Sequence, residues 1–282
     1  MDSVASLWDE LDEQLLPLLR GYRRNLSGLR VDTKSDRTLL SEADVAAQTV
    51  IVEAVRRRFP DAGFVAEEDH SGLVTSGDPL WIIDPIDGTS EFVRADGREF
   101  CSVVCRVDAG IPTATYILAP ELGIGRSALS IRWADEVTVN GRAAVPLPRV
   151  PVPRRASVTR SKGSTPRRFE FALTAAGAEV KLRTTSQTLD MVRTCIDLSD
   201  CTDIVGSFDL FYRPNQKVWD GAAGIGLSLA TGRSAVDGFG TDAVPFDEAL
   251  WKQREPLFSE TIIGSPECVR WFVDVLARSR SG

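Results

Sequence analysis

Histidine is nearly absent from this chain, with one residue, His70, among 282. A Ser-His-Asp hydrolase would have to be built on it. Yet it sits in the polar run EEDHSG, and no GxSxG elbow occurs anywhere. His70 is read as a solvated loop residue. Cysteine is sparse too: Cys101, Cys105, Cys195, Cys201 and Cys268 are odd in number and form no CxxC pair. That argues against a disulfide scaffold. Cys101 and Cys105 share one face of the strand-like run FCSVVCRV and are expected as small buried hydrophobes. No apolar run approaches the roughly 18 residues of a membrane span. The opening MDSVASLWDELDEQLLPLLRGYRR has early acids and neither an apolar h-region nor a small-residue cleavage site, so it is not read as a signal peptide. A cytoplasmic address and no membrane partner are the expectation. Positive charge is in deficit as well: the net charge of −7 speaks against binding a nucleic-acid polymer. No internal repeat appears.

What remains is ordinary soluble composition, 43% hydrophobic and 26% charged. Val4, Leu7, Trp8, Leu11, Leu15, Leu18 and Leu19 recur at helical spacing and predict an amphipathic first helix. A second helix is expected over SEADVAAQTVIVEAVRRRF, stopped by Pro60. Short strands follow in GFVAEED and PLWIIDPIDG. Antiparallel strands are expected in FCSVVCRVDAGIPTATYILAP and EVTVNGRAAVP, with Asp-Ala-Gly and Asn-Gly as turns. The proline-rich stretch VPLPRVPVPRRAS is the best candidate linker. The expected organisation is an N-terminal α+β half over residues 1–145, a linker over 146–157, and a C-terminal α/β half over 158–282. In the last, helices and strands alternate through WDGAAGIGLSLATG to SPECVRWFVDVLARSR.

Acidic residues cluster at element boundaries: Asp44, the pair Glu67 and Glu68, the pair Asp84 and Asp87, and Asp220. Carboxylates so close repel one another unless a cation lies between them. Hard divalent ions such as Mg²⁺ favour oxygen ligands from several elements. In WIIDPIDGTSEFV, a cis or extended turn at DPIDG would aim both aspartates at one place, with the Ile86 carbonyl as a further oxygen. Gly88 would let the backbone approach a ligand closely. If TSEFV opens a helix, its first amides form an anion site. A cation cluster beside an anion cradle suits phosphate-ester hydrolysis. An ordinary structural Asp-Gly turn is the alternative at this point.

Taken together, WIIDPIDGTSEFV, VWDGAAGIGLSLATG, GFVAEED and KSDRTLLSEADVAAQ resemble, in order and over nearly the whole chain, the motifs of the inositol monophosphatase superfamily. The resemblance implies a layered αβαβα sandwich and a Mg²⁺-dependent, lithium-sensitive phosphomonoesterase, often a homodimer, with two or three ions per site. It implies Glu67, Asp84 and the Ile86 carbonyl around one cation, with Glu67 also touching a third, weaker ion. Asp84, Asp87 and Asp220 would surround the second cation. It further implies that Thr89 and Asp44 activate water, that the Gly88 and Thr89 amides hold phosphate, and that Glu68 stands behind the ligands. The implied substrate is a small sugar, cyclitol or polyol phosphate.

The sequence departs from the pattern in places. Ala66 replaces the usual Gly before the Glu pair. Arg213 stands seven residues before Asp220, where inositol-specific members carry a hydroxyl-accepting glutamate. Arginine only donates, in a fork suited to phosphate or carboxylate. The segment SVTRSKGS resembles that of the branch acting on adenosine 3′,5′-bisphosphate, so Arg160, Lys162 and Arg213 could meet a second anion. Ser186 is expected at the substrate rim, and IDLSDCTDI reads as an insertion near it. Alternatives are therefore a 3′-nucleotidase or bisphosphate phosphatase, for which Phe208, Phe211 or Tyr212 could stack a base, and a histidinol-phosphate-like phosphatase. A non-catalytic ligand-binding homologue is a further alternative. It predicts loss of a metal-bridging residue, and none is lost.

Overall fold

The computed structural model describes residues 4–33, 39–68, 78–159, 165–183, 185–204, 206–253 and 255–280. His70, Arg160 and Lys162 lie outside the described residues. Helices α1 (Val4–Arg24) and α2 (Glu42–Arg58) form the first layer. The expected apolar stripe of α1 is buried at Leu7, Trp8, Leu11, Leu15 and Leu19. A short antiparallel ribbon, β1 (Val31–Thr33) with β2 (Leu39–Ser41), leads into α2.

A seven-stranded sheet makes the second layer. It runs in order through β3 (Gly63–Ala66), β4 (Leu80–Asp87), β5 (Cys101–Asp108), β6 (Ile111–Ala119), β7 (Leu129–Trp133), β8 (Val137–Val139) and β9 (Arg142–Ala143). Within this sheet, among the described residues, only β3 and β4 pair in parallel. Side chains alternate across a strand, so this sheet feeds two cores. Trp81, Ile83, Val104 and Tyr116 pack against α1 and α2. Leu80, Ile82, Val103 and Ile117 face the other way, joined by Cys101 and Cys105 on one face as expected.

Behind the opening of α3 (Thr89–Phe92), the remaining layers are drawn from the second half of the chain. The small sheet has the order β11-β10-β12-β14-β13: β10 is Arg155–Val158, β11 Glu179–Lys181, β12 Leu210–Lys217, β13 Ser234–Val236 and β14 Leu257–Gly264. Its outer face, with Tyr212 and Ile262, is covered by α4 (Arg168–Ala175) and α7 (Pro266–Arg280). Its inner face, with Phe211 and Ile263, shares a core with α5 (Gln187–Cys195), α6 (Val218–Ala230) and the large sheet. The result is an αβαβα sandwich with α5 and α6 as the middle layer.

The glycines of α6 permit that central position. A Cβ at Gly224 would lie 2.4 Å from Met191 Sδ on α5, and one at Gly226 2.9 Å from Pro112 on β6. The segment 146–157 passes from the large sheet to the small one; its last three residues already belong to β10. The segment 196–204, expected as an insertion, packs on the large sheet's connections, with Ile124 N donating to Cys201 O at 3.1 Å and Arg98 pairing with Asp203 at 2.6 Å. No helix among the described residues is long and apolar enough to cross a membrane.

Candidate active site

Residues three apart on a regular strand point to opposite faces. Asp84 and Asp87 do not, because β4 bulges between them. Asp84 pairs with Val103 and Asp87 with Cys101, so three steps on β4 match two on β5. The extra residue turns both carboxylates to one side. The Asp84–Pro85 peptide is not among the cis bonds, so the turn is the extended form. Ser102 Oγ clamps it by donating to the Pro85 carbonyl at 2.6 Å.

Asp220, in the first turn of α6, completes the cluster. Ligand oxygens of Asp84, Asp87 and Asp220 lie within 4.8 Å of one another. Glu67, just past β3, borders them: it raises the pKa of both Asp84 and Asp220. Burial, then the charges of Glu67, Asp87 and Asp220, push Asp84 well above the usual carboxylate range. Asp220 is pushed well above by burial and by Asp87 and Glu67. Burial also raises Asp87, but Ser186, Thr188 and Gln187 oppose it through hydrogen bonds. Asp84 Oδ1 is buried with no hydrogen-bond partner among the described residues. An acceptor-only group left unpaired among like charges, in an all-oxygen donor set, fits a hard divalent cation.

Asp44 sits one turn into α2, where Ser41 N and Ser41 Oγ donate to its Oδ2 at 2.7 and 2.5 Å. Its other oxygen, Oδ1, lies 3.3 Å from Thr89 Oγ1, which is also 3.1 Å from the Ile86 carbonyl. The threonine hydroxyl has one proton for these two acceptors. Gly88 precedes it with φ of 94°. A Cβ there would lie 2.8 Å from Glu99 O and 3.1 Å from Thr185 O, so both the backbone angle and the space require glycine. The first amides of the turn to find a partner are those of Glu91 and Phe92, which donate to Gly88 O at 2.8 and 3.0 Å. Those before them have no intrahelical acceptor.

Other expected residues fall in different places. Glu68 is buried, and its amide donates to Gln48 Oε1 on α2 at 3.0 Å. Ser186 does not face a rim. It is fully buried at the start of α5, where its hydroxyl donates to Asp87 Oδ2 at 2.7 Å. Phe208, Phe211 and Tyr212 are buried in the cores, which removes them as base-stacking candidates. Arg213 lies on β12: burial lowers its pKa, and the charges of Asp220 and Asp87 oppose that. Its Nε is buried without a hydrogen-bond partner among the described residues.

Sequence reasoning missed two contributors. Gln187 donates through Nε2 to Asp220 Oδ2. Arg23, from α1, donates to the carbonyls of Phe92, Arg94, Ala95 and Gly97, and so holds the chain leaving α3. It also pairs with Glu121 at 3.1 Å. Neither residue carries a local signal; each acts on a partner far away in the chain.

The chain is similar in sequence and in fold to known proteins. The model of the inositol monophosphatase family matches residues 2–265. The 3′(2′),5′-bisphosphate nucleotidase CysQ of Escherichia coli K12 is 28% identical over 244 residues, covering 84% of this chain and 90% of that one. The histidinol-phosphatase of Mycobacterium tuberculosis is 32% identical over 225 residues, 78% of this chain and 80% of its own. In fold, the chain matches the Thermotoga maritima IMPase with a TM-score of 0.74 at 22% identity, covering 100% of this chain and 99% of that one. The suhB protein of Bartonella henselae gives 0.74 at 19% identity, with 98% of each chain covered.

Proposed function

We propose a substrate class for a chain that belongs to the inositol monophosphatase family and is a phosphoric monoester hydrolase. The substrate is a small phosphate ester carrying a second anionic group, of the kind found in a nucleoside 3′,5′-bisphosphate. The observation that carries this is Arg213, whose buried Nε has no hydrogen-bond partner among the described residues, although the charges of Asp220 and Asp87 are felt there. A guanidinium in that position rewards an oxyanion and offers nothing to a polyol hydroxyl that must donate. The likeness to a bisphosphate nucleotidase supports the same class.

The cofactor is Mg²⁺, for which Glu67, Asp84, Asp87, Asp220 and the Ile86 carbonyl would supply the oxygens. When bound, the ions neutralise phosphoryl oxygens, lower the pKa of water and stabilise the leaving oxygen. The chain's own groups do the rest. Asp44, kept as an acceptor by its two bonds from Ser41, draws the Thr89 proton toward Oδ1. That turns a lone pair of Thr89 Oγ1 outward, where it can accept the proton of an attacking water. The Gly88 and Thr89 amides receive the phosphoryl oxygens at the open end of the turn. Arg213 receives the second anion and so sets which phosphate lies over the carboxylates.

The test is phosphate release from adenosine 3′,5′-bisphosphate, fructose 1,6-bisphosphate, histidinol phosphate, AMP and inositol 1-phosphate, in Mg²⁺ and in EDTA. Release should depend on Mg²⁺ and favour the doubly anionic substrates. Arg213→Gln should cost those about 30-fold or more in kcat/KM, the worth of a charge-assisted hydrogen bond, and leave singly charged ones nearly unchanged. Equal turnover of inositol 1-phosphate and the best bisphosphate would defeat the assignment and return the polyol reading.

A further inference from the structure

The start of α5 reaches both carboxylates that come from different layers. Ser186 Oγ and Thr188 N donate to Asp87 Oδ2, each at 2.7 Å, and Gln187 N donates to Oδ1 at 3.3 Å. From the same turn, Thr188 Oγ1 donates to the backbone carbonyl of Asp220 at 3.1 Å. The Gln187 side chain then crosses to the Asp220 carboxylate, to which Nε2 donates, while its Oε1 accepts from Gln216 Nε2 at 3.1 Å.

The direction of this amide chain is dictated by its end. A metal-ligating carboxylate only accepts, so Gln187 must present nitrogen to it and oxygen to Gln216. Gln216, fully buried, must therefore donate, and its own Oε1 is left with no partner among the described residues. Buried polar groups are seldom left unpaired without a reason. The glycine after Asp220 belongs to the same arrangement, since a Cβ at Gly221 would lie 2.7 Å from Gln216 Oε1 and 2.9 Å from Phe258. Gln216 reaches Gln187 only because that position has no side chain.

We infer that Gln187, backed by Gln216, is a positioning residue that orients Asp220 toward the cation it shares with Asp87. This rests on the reading of the carboxylate cluster as a metal site. Groups that hydrogen-bond to metal ligands are commonly worth 10- to 100-fold in metal affinity.

The experiment is Mn²⁺ binding to the full chain without substrate, followed by the electron paramagnetic resonance of free Mn²⁺. Wild type is compared with Gln187→Met, which keeps length and volume, with Gln216→Met, and with Asp220→Asn as the reference for a lost ligand. Gln187→Met should weaken the Asp220-dependent site about 10- to 100-fold, and Gln216→Met by a smaller factor of about 3 to 10. If only one of the two glutamine variants folds, its isotherm decides in the same way. Variant isotherms that superimpose on wild type, while Asp220→Asn departs from it, overturn the role of Gln187 and leave the metal site standing. No Mn²⁺ bound by wild type overturns both.

Discussion

Two clusters of buried acids differ in the sign of their neighbours, although burial raises the pKa of an aspartate in each, Asp190 in one and Asp84 in the other. Around Asp190, which is fully buried, every charge is answered: Lys181 Nζ lies at 2.7 Å, Ser157 Oγ at 2.6 Å and Arg193 at 3.8 Å. Glu99 joins the same network through Arg193 and, at 3.7 Å, Lys181. Burial alone would raise Glu99, yet Arg193 and Lys181 bring it below the usual carboxylate range. Around Asp84 the neighbours are Glu67, Asp87 and Asp220, and each pushes it further up. Burial does not distinguish the two clusters; the sign of the neighbours does. A buried acid among cations is neutralised from within the scaffold, and one among acids has no such answer from its neighbours.

The largest effect should come from Asp84→Asn, which removes a carboxylate from the unanswered cluster. Turnover should fall by at least about 10³-fold, since metal ions supply several kcal/mol of transition-state stabilisation. Melting in EDTA should stay at or above the wild-type temperature, because the substitution relieves repulsion. Retained activity would remove Asp84 from the metal assignment, and a collapse in EDTA would make the cluster structural.

Asp190→Asn tests the other side of the comparison. It leaves Lys181 and Arg193 short of a partner and should cost about 3 kcal/mol of stability in urea melts. Activity per folded molecule should change little, apart from any shift of α5. An unchanged midpoint would mean that the network is no firmer than a surface pair.

The smallest effect is pH-dependent. Because the folded pKa of Glu99 is lowered, its contribution is fully present above its unfolded value, near 4.3. It is lost as pH falls through the lower folded value. Glu99→Gln should therefore flatten the acid limb of the stability curve below about pH 5, by an amount on the order of 1 kcal/mol. An identical acid limb in the variant would show that Arg193 and Lys181 do not act through Glu99.

Much of the site was readable because its parts are contiguous. Asp84, Ile86, Asp87, Gly88 and Thr89 fall in a single run, and the bulge that aligns them needs only local backbone. The αβαβα layering followed from the motifs taken together, and the apolar stripe of α1 and the helix stopped by Pro60 followed from periodicity. The misplacement of Ser186 has an equally physical cause. Its position before a helix marks it as a cap, but nothing nearby in sequence says that Asp87, 99 residues earlier, lies under that cap. Arg23 is the same case, reaching Phe92 across 69 residues.

The sequence by itself offered the oxygens that could meet a cation, set where the chain must turn on glycine, and put an arginine seven residues before Asp220. These are properties of residue type and short-range geometry. Tertiary structure alone decided which groups answer those charges. It set α5 against Asp87 and Asp220, turned Gln187 toward Gln216, and left Asp84 Oδ1 and Arg213 Nε without hydrogen-bond partners among the described residues. Hydrogen bonds between distant segments depend on how the layers stack, and stacking is driven by apolar burial that is nearly blind to direction. The polar partners are fixed only once the layers have closed.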